Sequence, residues 1–292
     1  MQKLNLFIIL AGLILLGMLG VLFYWDIKDT EKSANPESQN QENEEYDSQN
    51  SSGSDLEKYT KNKITGFTIN VPILNYHYIQ IPPSQKDNLI VNLSVTPENF
   101  RTQMLYLVNN KIQTLTMQDL LDALQSKKTL SKSVILTFDD GYQDFYTNAY
   151  PILKEYDLKA TVFMITSKIG QPGYLTSAQI QELDQSGLVT IGSHTVNHFS
   201  LKNQTKQKES YELEQSKLVL EKKVGHKVVF FAYPNGIFDQ QSEQLVEQIG
   251  YKAAVSTVDG ATHSYANRFI LTRKRIGGRA NLDDFIKIVK SK

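Results

Sequence analysis

The chain has 292 residues, with 31 lysine and arginine side chains against 31 aspartate and glutamate side chains, and it contains no cysteine. The even charge balance argues against a nucleic-acid-binding protein, which would need a basic excess on one face. Without cysteine there is neither a disulfide framework nor a cysteine-ligated zinc site.

The N-terminal segment is uniformly apolar from Leu6 to Trp25 and is preceded by Lys3. About 20 such residues span the hydrocarbon core of a bilayer, and this run is longer than the apolar region of a typical signal peptide. Tyr24 and Trp25 stand where interfacial aromatic anchors lie, and no small-residue cleavage site follows. Residues 1–27 are therefore predicted to be an uncleaved signal anchor in the cell membrane, with the rest of the chain outside. The alternative, a buried core helix, is disfavoured by the polar segment that follows.

Residues 28–62 are rich in Glu, Asn, Gln, Ser and Asp. Such a composition buries too little apolar surface to offset the entropy of ordering the chain. This region is predicted to be a disordered tether, and residues 63–292 are predicted to form one folded domain of a size suited to a full core.

Within the predicted domain, short aliphatic or β-branched runs alternate with segments of helical character. Predicted helices open at Thr96 and at Thr116, each of which can cap a helix N-terminus. Alternation of strands and helices is typical of parallel strands joined by crossover helices, so the predicted fold class is α/β. The principal predicted strands are 71–76, 133–136, 160–165, 188–192, 228–232, 253–257 and 270–276.

Two adjacent carboxylates follow the predicted strand 133–136, in the motif Thr137-Phe138-Asp139-Asp140-Gly141. Neighbouring side chains of an extended chain point to opposite sides, so a bend at Gly141 could direct one carboxylate to a metal and the other to a water. A solvated Asp-Asp-Gly turn is the alternative.

Two histidines four residues apart follow the predicted strand 188–192, in the motif Ser193-His194-Thr195-Val196-Asn197-His198. If the segment makes a helical turn, both imidazoles lie on one face, and with one carboxylate they form a metal site that leaves coordination positions open. Alone, two histidines at this spacing are more often polar surface residues than metal ligands. Together with the preceding Asp-Asp-Gly motif, it favours a metal site.

With Ala232-Tyr233-Pro234-Asn235-Gly236 as a third segment, the motifs resemble, in their order, those of the polysaccharide deacetylases of the NodB-homology type, carbohydrate esterase family 4. The resemblance covers roughly residues 69–288. It implies an irregular (β/α) barrel with fewer than eight strands, with site residues at the carboxyl ends of the strands. The third segment departs from the family pattern, and the later motifs are not recognisable.

The resemblance also implies residue roles. Asp140, His194 and His198 would hold a divalent metal, with Zn²⁺ expected and Ni²⁺ or Co²⁺ suited to the same ligands. Asp139 would be the general base. The backbone N–H of Asn235, which follows Pro234, would stabilise the oxyanion, and a Pro-Asn-Gly turn without a catalytic role is the alternative.

Where the family has an arginine that holds the catalytic base, this chain has Ala232. Arg273 and Arg275 share one face of the last predicted strand, and either could orient Asp139. We predict that Arg275 does so, the alternative being that both are exposed strand charges.

The C-terminal Leu-x-x-His of the family, normally the general acid, is missing. The candidates are His77, His226 and His263. His77 follows the first strand in a Leu-x-Tyr-His setting that resembles the branch acting on exported surface polysaccharides, so we predict that it protonates the leaving amine. The alternative is a core histidine satisfied by hydrogen bonds.

The resemblance implies a metal-dependent enzyme that removes acetyl groups from N-acetylglucosamine in a cell-surface polymer. Peptidoglycan, a wall polysaccharide or its linkage unit, and poly-N-acetylglucosamine all remain open as substrates. Tyr142, Tyr233 and Pro234 are predicted to contact the sugar. The composition hints at a Gram-positive bacterium. The competing hypothesis is a non-enzymatic carbohydrate-binding or scaffold protein on the same fold, suggested by Ala232 and the missing histidine.

Overall fold

The computed structural model describes residues 52–291. The predicted signal anchor and most of the predicted tether therefore lie outside the described residues. Within residues 52–291, no helix has both the length and the apolar character that crossing a membrane requires.

The strands of the described chain are mostly short and buried. They are β1 (Thr68–Asn70), β2 (Ile73–Tyr76), β3 (Tyr78–Ile79), β4 (Ser94–Val95), β5 (Gln113–Thr114), β6 (Ser133–Phe138), β7 (Ala160–Met164), β8 (Val189–Ser193), β9 (Phe230–Ala232), β10 (Ala253–Asp259), β11 (Thr262–Ser264) and β12 (Leu271–Arg275).

The α-helices lie between these strands and at both ends of the described region. They are α1 (Ser52–Lys63), α2 (Asn88–Leu93), α3 (Pro97–Asn109), α4 (Met117–Ser126), α5 (Tyr150–Glu155), α6 (Ser177–Gln185), α7 (Lys206–Val224), α8 (Gln240–Gln248) and α9 (Leu282–Val289). Thr96 and Thr116 cap α3 and α4 through their side chains, as the sequence predicts.

Seven parallel strands close into a barrel. Going around it, β2, β12, β10, β9, β8, β7 and β6 each pair with the next, and β6 pairs back with β2. Closure runs from Ile73 opposite Ile135 to Tyr76 opposite Phe138, while β5 pairs only with the first residues of β6. The predicted α/β barrel with fewer than eight strands is confirmed, and because all seven strands are parallel, their carboxyl ends lie at one rim.

Side chains alternate between the two faces of the barrel wall. Ile73, Ile135, Val255 and Leu271 belong to one buried cluster, which also includes residues of α4. Leu136 belongs to a second cluster, shared with α3 and α5. Because successive side chains of a strand point to opposite faces, residues two positions after Ile135 and Leu271 face the same side as these apolar residues.

Helix α1 corrects the predicted boundary of the tether. Leu56 and Tyr59 pack against a buried cluster that contains Phe238, and Thr60 is fully buried. The Tyr59 hydroxyl donates a hydrogen bond of 2.7 Å to Glu243. Composition failed here because the helix is polar on average and only one side of it is covered. The folded domain therefore includes residues 52–62, which the composition assigned to the tether.

We predict that Tyr59→Ala lowers the free energy of unfolding by about 1–3 kcal/mol, because it removes a partly buried ring and leaves the Glu243 carboxylate without one donor. Thermal or urea unfolding measures the change. Lys58→Ala, at an exposed neighbouring position of the same helix, is the control and should change stability by less than about 0.5 kcal/mol. Equal effects of the two substitutions would contradict the docking of α1.

Candidate active site

The predicted metal ligands, Asp139 and His77 sit at the carboxyl ends of three barrel strands, β2, β6 and β8. Asp139 and Asp140 directly follow β6, and His194 directly follows β8. His77 follows β2, which pairs with β6. The Asp139 N–H donates to the carbonyl of Tyr76 at 3.0 Å, so the ends of β2 and β6 are tied together where the carboxylates and His77 emerge.

Asp140, His194 and His198 come together as a triad. Each offers one ligand atom, and these atoms all lie within 4.8 Å of one another. Oδ1 of Asp140 is 3.5 Å from Nε2 of His194 and 3.5 Å from Nε2 of His198. The Nδ1 atom of His194 is 2.7 Å from the carbonyl oxygen of Ala232, to which it donates, so Nε2 carries the lone pair that faces Asp140.

The triad fits a divalent cation. Oδ1 of Asp140 is buried and has no hydrogen-bond partner within residues 52–291, which is rare for a carboxylate oxygen. Burial raises the pKa of Asp140 to about 6, against the opposing influence of His77, and the charge of Asp139 adds to the rise. A carboxylate oxygen and two imidazole nitrogens are ligands suited to zinc and other first-row ions.

The sequence predicts that the two histidines share a face if residues 194–198 form a helical turn. They do converge, but the segment between them is not helical. Thr195 and His198 have φ values of 68° and 61°, in the left-handed region that β-branched and bulky residues rarely adopt. Asp140 is also left-handed, with φ of 72°. Asp140 and His198 are therefore left-handed themselves, and His194 directly precedes the left-handed Thr195.

Asp139 forms a bidentate ion pair with Arg273. Arg273 Nη1 is 2.8 Å from Oδ1, and Nη2 is 2.7 Å from Oδ2. Asn75 Nδ2 donates a further hydrogen bond of 2.9 Å to Oδ2. Burial alone would raise the pKa of Asp139, but the Arg273 guanidinium outweighs it and holds that pKa well below its ordinary value. Asp139 is therefore ionised at neutral pH.

The prediction that Arg275 orients Asp139 is wrong. Arg275, at the end of β12, lies opposite Asn75 in the strand register and is exposed. Arg273 lies two residues earlier in the same strand and is fully buried. Arg273 lies on the same side of the wall as Leu271, and its long side chain extends upward to the carboxylate. On the way its Nε donates to the Ser256 carbonyl at 2.8 Å.

Of the three candidate acids, only His77 lies beside the carboxylates. It is half-buried, and burial lowers its pKa against the opposing influence of Asp140 and Asp139. His263 is fully buried, with Nε2 3.0 Å from the Val71 carbonyl. His226 is exposed and contacts Asp184 at 2.9 Å, on the turn that precedes β9. His263 and His226 therefore lie away from the carboxylates, and each has a hydrogen-bond partner elsewhere in the fold.

Comparison with known proteins identifies the family. A family model described as polysaccharide deacetylase matches residues 126–254. YxkH of Bacillus subtilis (strain 168), a protein assigned by name to the polysaccharide deacetylases, is 36% identical over 207 residues, which are 70% of this chain and 71% of YxkH. The chain belongs to the polysaccharide deacetylase family. It is thus a member of a family of hydrolases.

Two further similarities concern a solved structure and a named activity. The Streptococcus pyogenes deacetylase PplD, solved with acetate, has 32% sequence identity and a TM-score of 0.70, with 76% of this chain and 99% of PplD covered. The poly-beta-1,6-N-acetyl-D-glucosamine N-deacetylase of Staphylococcus epidermidis is 27% identical over 237 residues, 74% of this chain and 80% of the relative.

The prediction that Tyr233 of this deacetylase contacts a sugar is wrong. Tyr233 is fully buried between Phe231 and Phe238, at ring-centroid distances of 5.1 and 5.0 Å. It shares the outer face of the β9 end with Phe231, because side chains two apart point the same way. Pro234 is buried as well, so of this turn only Asn235, with φ of 56°, is exposed.

Tyr142 instead belongs to an aromatic group beside the metal-binding triad. Its ring stacks on Tyr78 at 3.8 Å between centroids and is 5.2 Å from the ring of Tyr174. The Tyr142 hydroxyl also lowers the pKa of Asp140, against the larger effect of burial. Sequence reasoning missed Tyr78, although its position next to His77 was a usable signal. Tyr174 lies in the loop before α6, and no pattern in the sequence indicated that it joins this group.

We predict that Arg273→Ala lowers the free energy of unfolding by about 3–5 kcal/mol, because it leaves a buried carboxylate without its charge partner. Adding Asp139→Asn to that variant should recover part of the loss, and urea unfolding of all four combinations measures the coupling. Arg275→Ala is the matched control, expected within about 0.5 kcal/mol of the parent because its side chain is exposed. Additive effects of the two substitutions at 273 and 139 would contradict the ion pair.

Proposed function

We propose that this deacetylase is a metal-dependent N-deacetylase that removes acetyl groups from N-acetylglucosamine units of a bacterial cell-surface polysaccharide. The observation that carries the proposal is the metal-binding triad of Asp140, His194 and His198, placed next to an ionised Asp139. The name of the Staphylococcus epidermidis relative supports the choice of amide substrate and of N-acetylglucosamine.

The metal would be held by Oδ1 of Asp140 and Nε2 of each histidine, with zinc expected and nickel or cobalt also suited. A divalent ion bound there lowers the pKa of a water molecule and polarises a carbonyl group. The Ala232 carbonyl keeps His194 in the tautomer that this requires, because it accepts the proton on Nδ1.

Asp139 acts as the general base. Arg273 and Asn75 occupy three of the roughly four lone-pair positions of its carboxylate, so about one remains for the attacking water. As the water oxygen forms a bond to the acetyl carbon, Asp139 takes the water proton. The Arg273 ion pair keeps the base ionised and fixes its orientation.

His77 acts as the general acid on the other side of the reaction. When the carbon–nitrogen bond breaks, its imidazolium donates a proton to the leaving sugar amine, and acetate is released. The backbone N–H of Asn235, on the exposed left-handed turn after β9, is proposed as the oxyanion donor. Tyr142, which is half-buried in the aromatic group with Tyr78 and Tyr174, is proposed to contact the sugar.

The enzymatic hypothesis is favoured over a binding or scaffold protein. The scaffold hypothesis rested on Ala232, where the family pattern has an arginine, and on the missing C-terminal histidine. Arg273 supplies a guanidinium to Asp139 at 2.7 and 2.8 Å, so the first reason no longer applies. His77, beside the same carboxylates, is the proposed substitute for the histidine.

We further propose that the enzyme works outside the cell, in a Gram-positive envelope, held at the membrane by the apolar residues 1–27. The support is the length of that apolar run and its flanking Lys3 and aromatic residues. The candidate polymers are poly-N-acetylglucosamine, peptidoglycan, and wall polysaccharide or its linkage unit.

We expect the full chain in detergent to release acetate from at least one of these polymers, and chelation to abolish the release. Asp139→Asn should lower kcat by about 10²- to 10⁴-fold, because it removes the general base. Acetate assay and mass spectrometry of the polymer measure the loss of acetyl groups. Asp122→Asn, on an exposed turn of α4, is the matched control and should leave kcat unchanged. Chelator-resistant release, or full activity of Asp139→Asn, would contradict the proposed chemistry.

Tyr142→Ala should raise KM for the polymer about 2- to 10-fold, the range expected when one stacking contact is lost. Tyr142→Phe keeps the ring and should keep KM close to that of the parent. Tyr233→Phe is the second control, because the Tyr233 hydroxyl is buried and finds no hydrogen-bond partner among the described residues. A raised KM in Tyr233→Phe, or an unchanged KM in Tyr142→Ala, would show that the sugar is bound elsewhere.

A further inference from the structure

We propose that Glu212 on α7 is a positioning residue that holds the turn bearing the two histidines in its metal-binding conformation. The turn consists of residues 194–198, and we call it the histidine turn. The inference rests on the metal centre of the proposed function, and it assigns a role to a residue outside all of the recognised motifs.

Glu212 accepts three hydrogen bonds from the middle of the histidine turn. Its Oε2 accepts from the N–H of Val196 at 2.8 Å and from the N–H of Asn197 at 2.9 Å. Its Oε1 accepts from Nδ2 of Asn197 at 2.8 Å. Glu212 is only 2% exposed, so its carboxylate depends on these donors rather than on water. A carboxylate suits the place because two adjacent backbone N–H groups converge on one oxygen.

The opposite side of the histidine turn is held by the chain after β7. The N–H of Thr166 donates to the Thr195 carbonyl at 3.1 Å, and the N–H of Ser167 donates to the Val196 carbonyl at 2.9 Å. The carbonyl groups of Thr195 and Val196 therefore face the chain after β7, and the N–H groups of Val196 and Asn197 face Glu212. This clamp explains how Thr195, with φ of 68°, keeps a conformation that is costly for a β-branched residue.

Helix α7 also holds the other flank of His194. One turn after Glu212, the Ser216 hydroxyl is 2.8 Å from the hydroxyl of Ser193, the residue that precedes His194. A single face of α7 thus contacts the chain on both sides of the first histidine. Displacement of the histidine turn would move the Nε2 atoms of both histidines away from Asp140.

The expected effect is on metal affinity. Groups that orient metal ligands from outside typically change affinity by about 10- to 100-fold when they are mutated. We therefore expect Glu212→Asp, which keeps the charge but withdraws the carboxylate by one methylene, to weaken Zn²⁺ binding by about 10- to 100-fold.

Glu212→Gln is the conservative variant that tests rescue. Its amide oxygen can accept both backbone N–H groups, and its NH₂ group can donate to Asn197 if that side-chain amide flips. We expect Zn²⁺ affinity within about threefold of the parent, since all three hydrogen bonds can be remade. Glu209→Asp is the matched control, because Glu209 is buried on the same helix and its carboxylate contacts Gln241 at 2.8 Å rather than the histidine turn.

The experiment measures Zn²⁺ dissociation constants of the full chain in detergent by competition with a chromophoric chelator, and unfolding midpoints of the metal-free proteins. We expect weakened Zn²⁺ binding only in Glu212→Asp, even if Glu209→Asp lowers the unfolding midpoint by the same amount. If both aspartate variants bind Zn²⁺ as tightly as the parent, or both lose it equally, the inference is overturned. A parent that binds no divalent ion would overturn the metal centre itself, and the inference with it.

Discussion

The buried ion pair between Asp139 and Arg273 is the interaction on which the site depends. Both side chains are almost completely excluded from solvent, and removing two charges from water is costly. The cost is offset because every polar edge finds a partner: Arg273 also donates to the Ser256 carbonyl and to Thr137, and Asp139 accepts from Asn75. The pair and its partners come from β2, β6, β10, β12 and the residue after β6. The pair therefore forms only in a barrel with the correct register, so the position of the Asp139 carboxylate depends on the fold.

Two neighbouring carboxylates are driven in opposite directions by their surroundings. Asp139 meets a guanidinium, and its pKa is held well below its ordinary value, whereas burial raises the pKa of Asp140 to about 6. The left-handed conformation of Asp140 separates them, because it turns that side chain toward the histidines. One carboxylate thus has its cation built into the protein, and the other faces a place where a cation fits. Pairs of this kind, with divergent pKa values, are typical of sites in which two acids have different roles.

The sequence predicted the features that depend on repeating or local patterns of residues. Alternating strands and helices indicated the α/β class, and adjacent residues at strand ends indicated the triad and Asp139. What it missed depends on contacts across the fold. Choosing between Arg273 and Arg275 requires the register of β12 on β2. Separating Tyr233 from Tyr142 requires knowing that the outer face of the β9 end is covered by aromatic residues. Helix α1 has a polar composition, so only its docking against Phe238 and Glu243 distinguishes it from a tether.

Closure of the barrel explains how the site can differ from the family pattern without losing a part. The family pattern has an arginine where this chain has Ala232, at the end of β9, and Arg273 on β12 reaches the same carboxylate. Strands β9 and β12 both flank β10, so either can direct a long side chain into the upper barrel. The same reasoning applies to the proposed general acid, His77: β2 lies between β12 and β6, so the first and last strands of the barrel are neighbours. A histidine from either end of the chain can therefore approach the sugar amine. In a closed barrel, distance along the sequence places little constraint on which strand supplies a catalytic group.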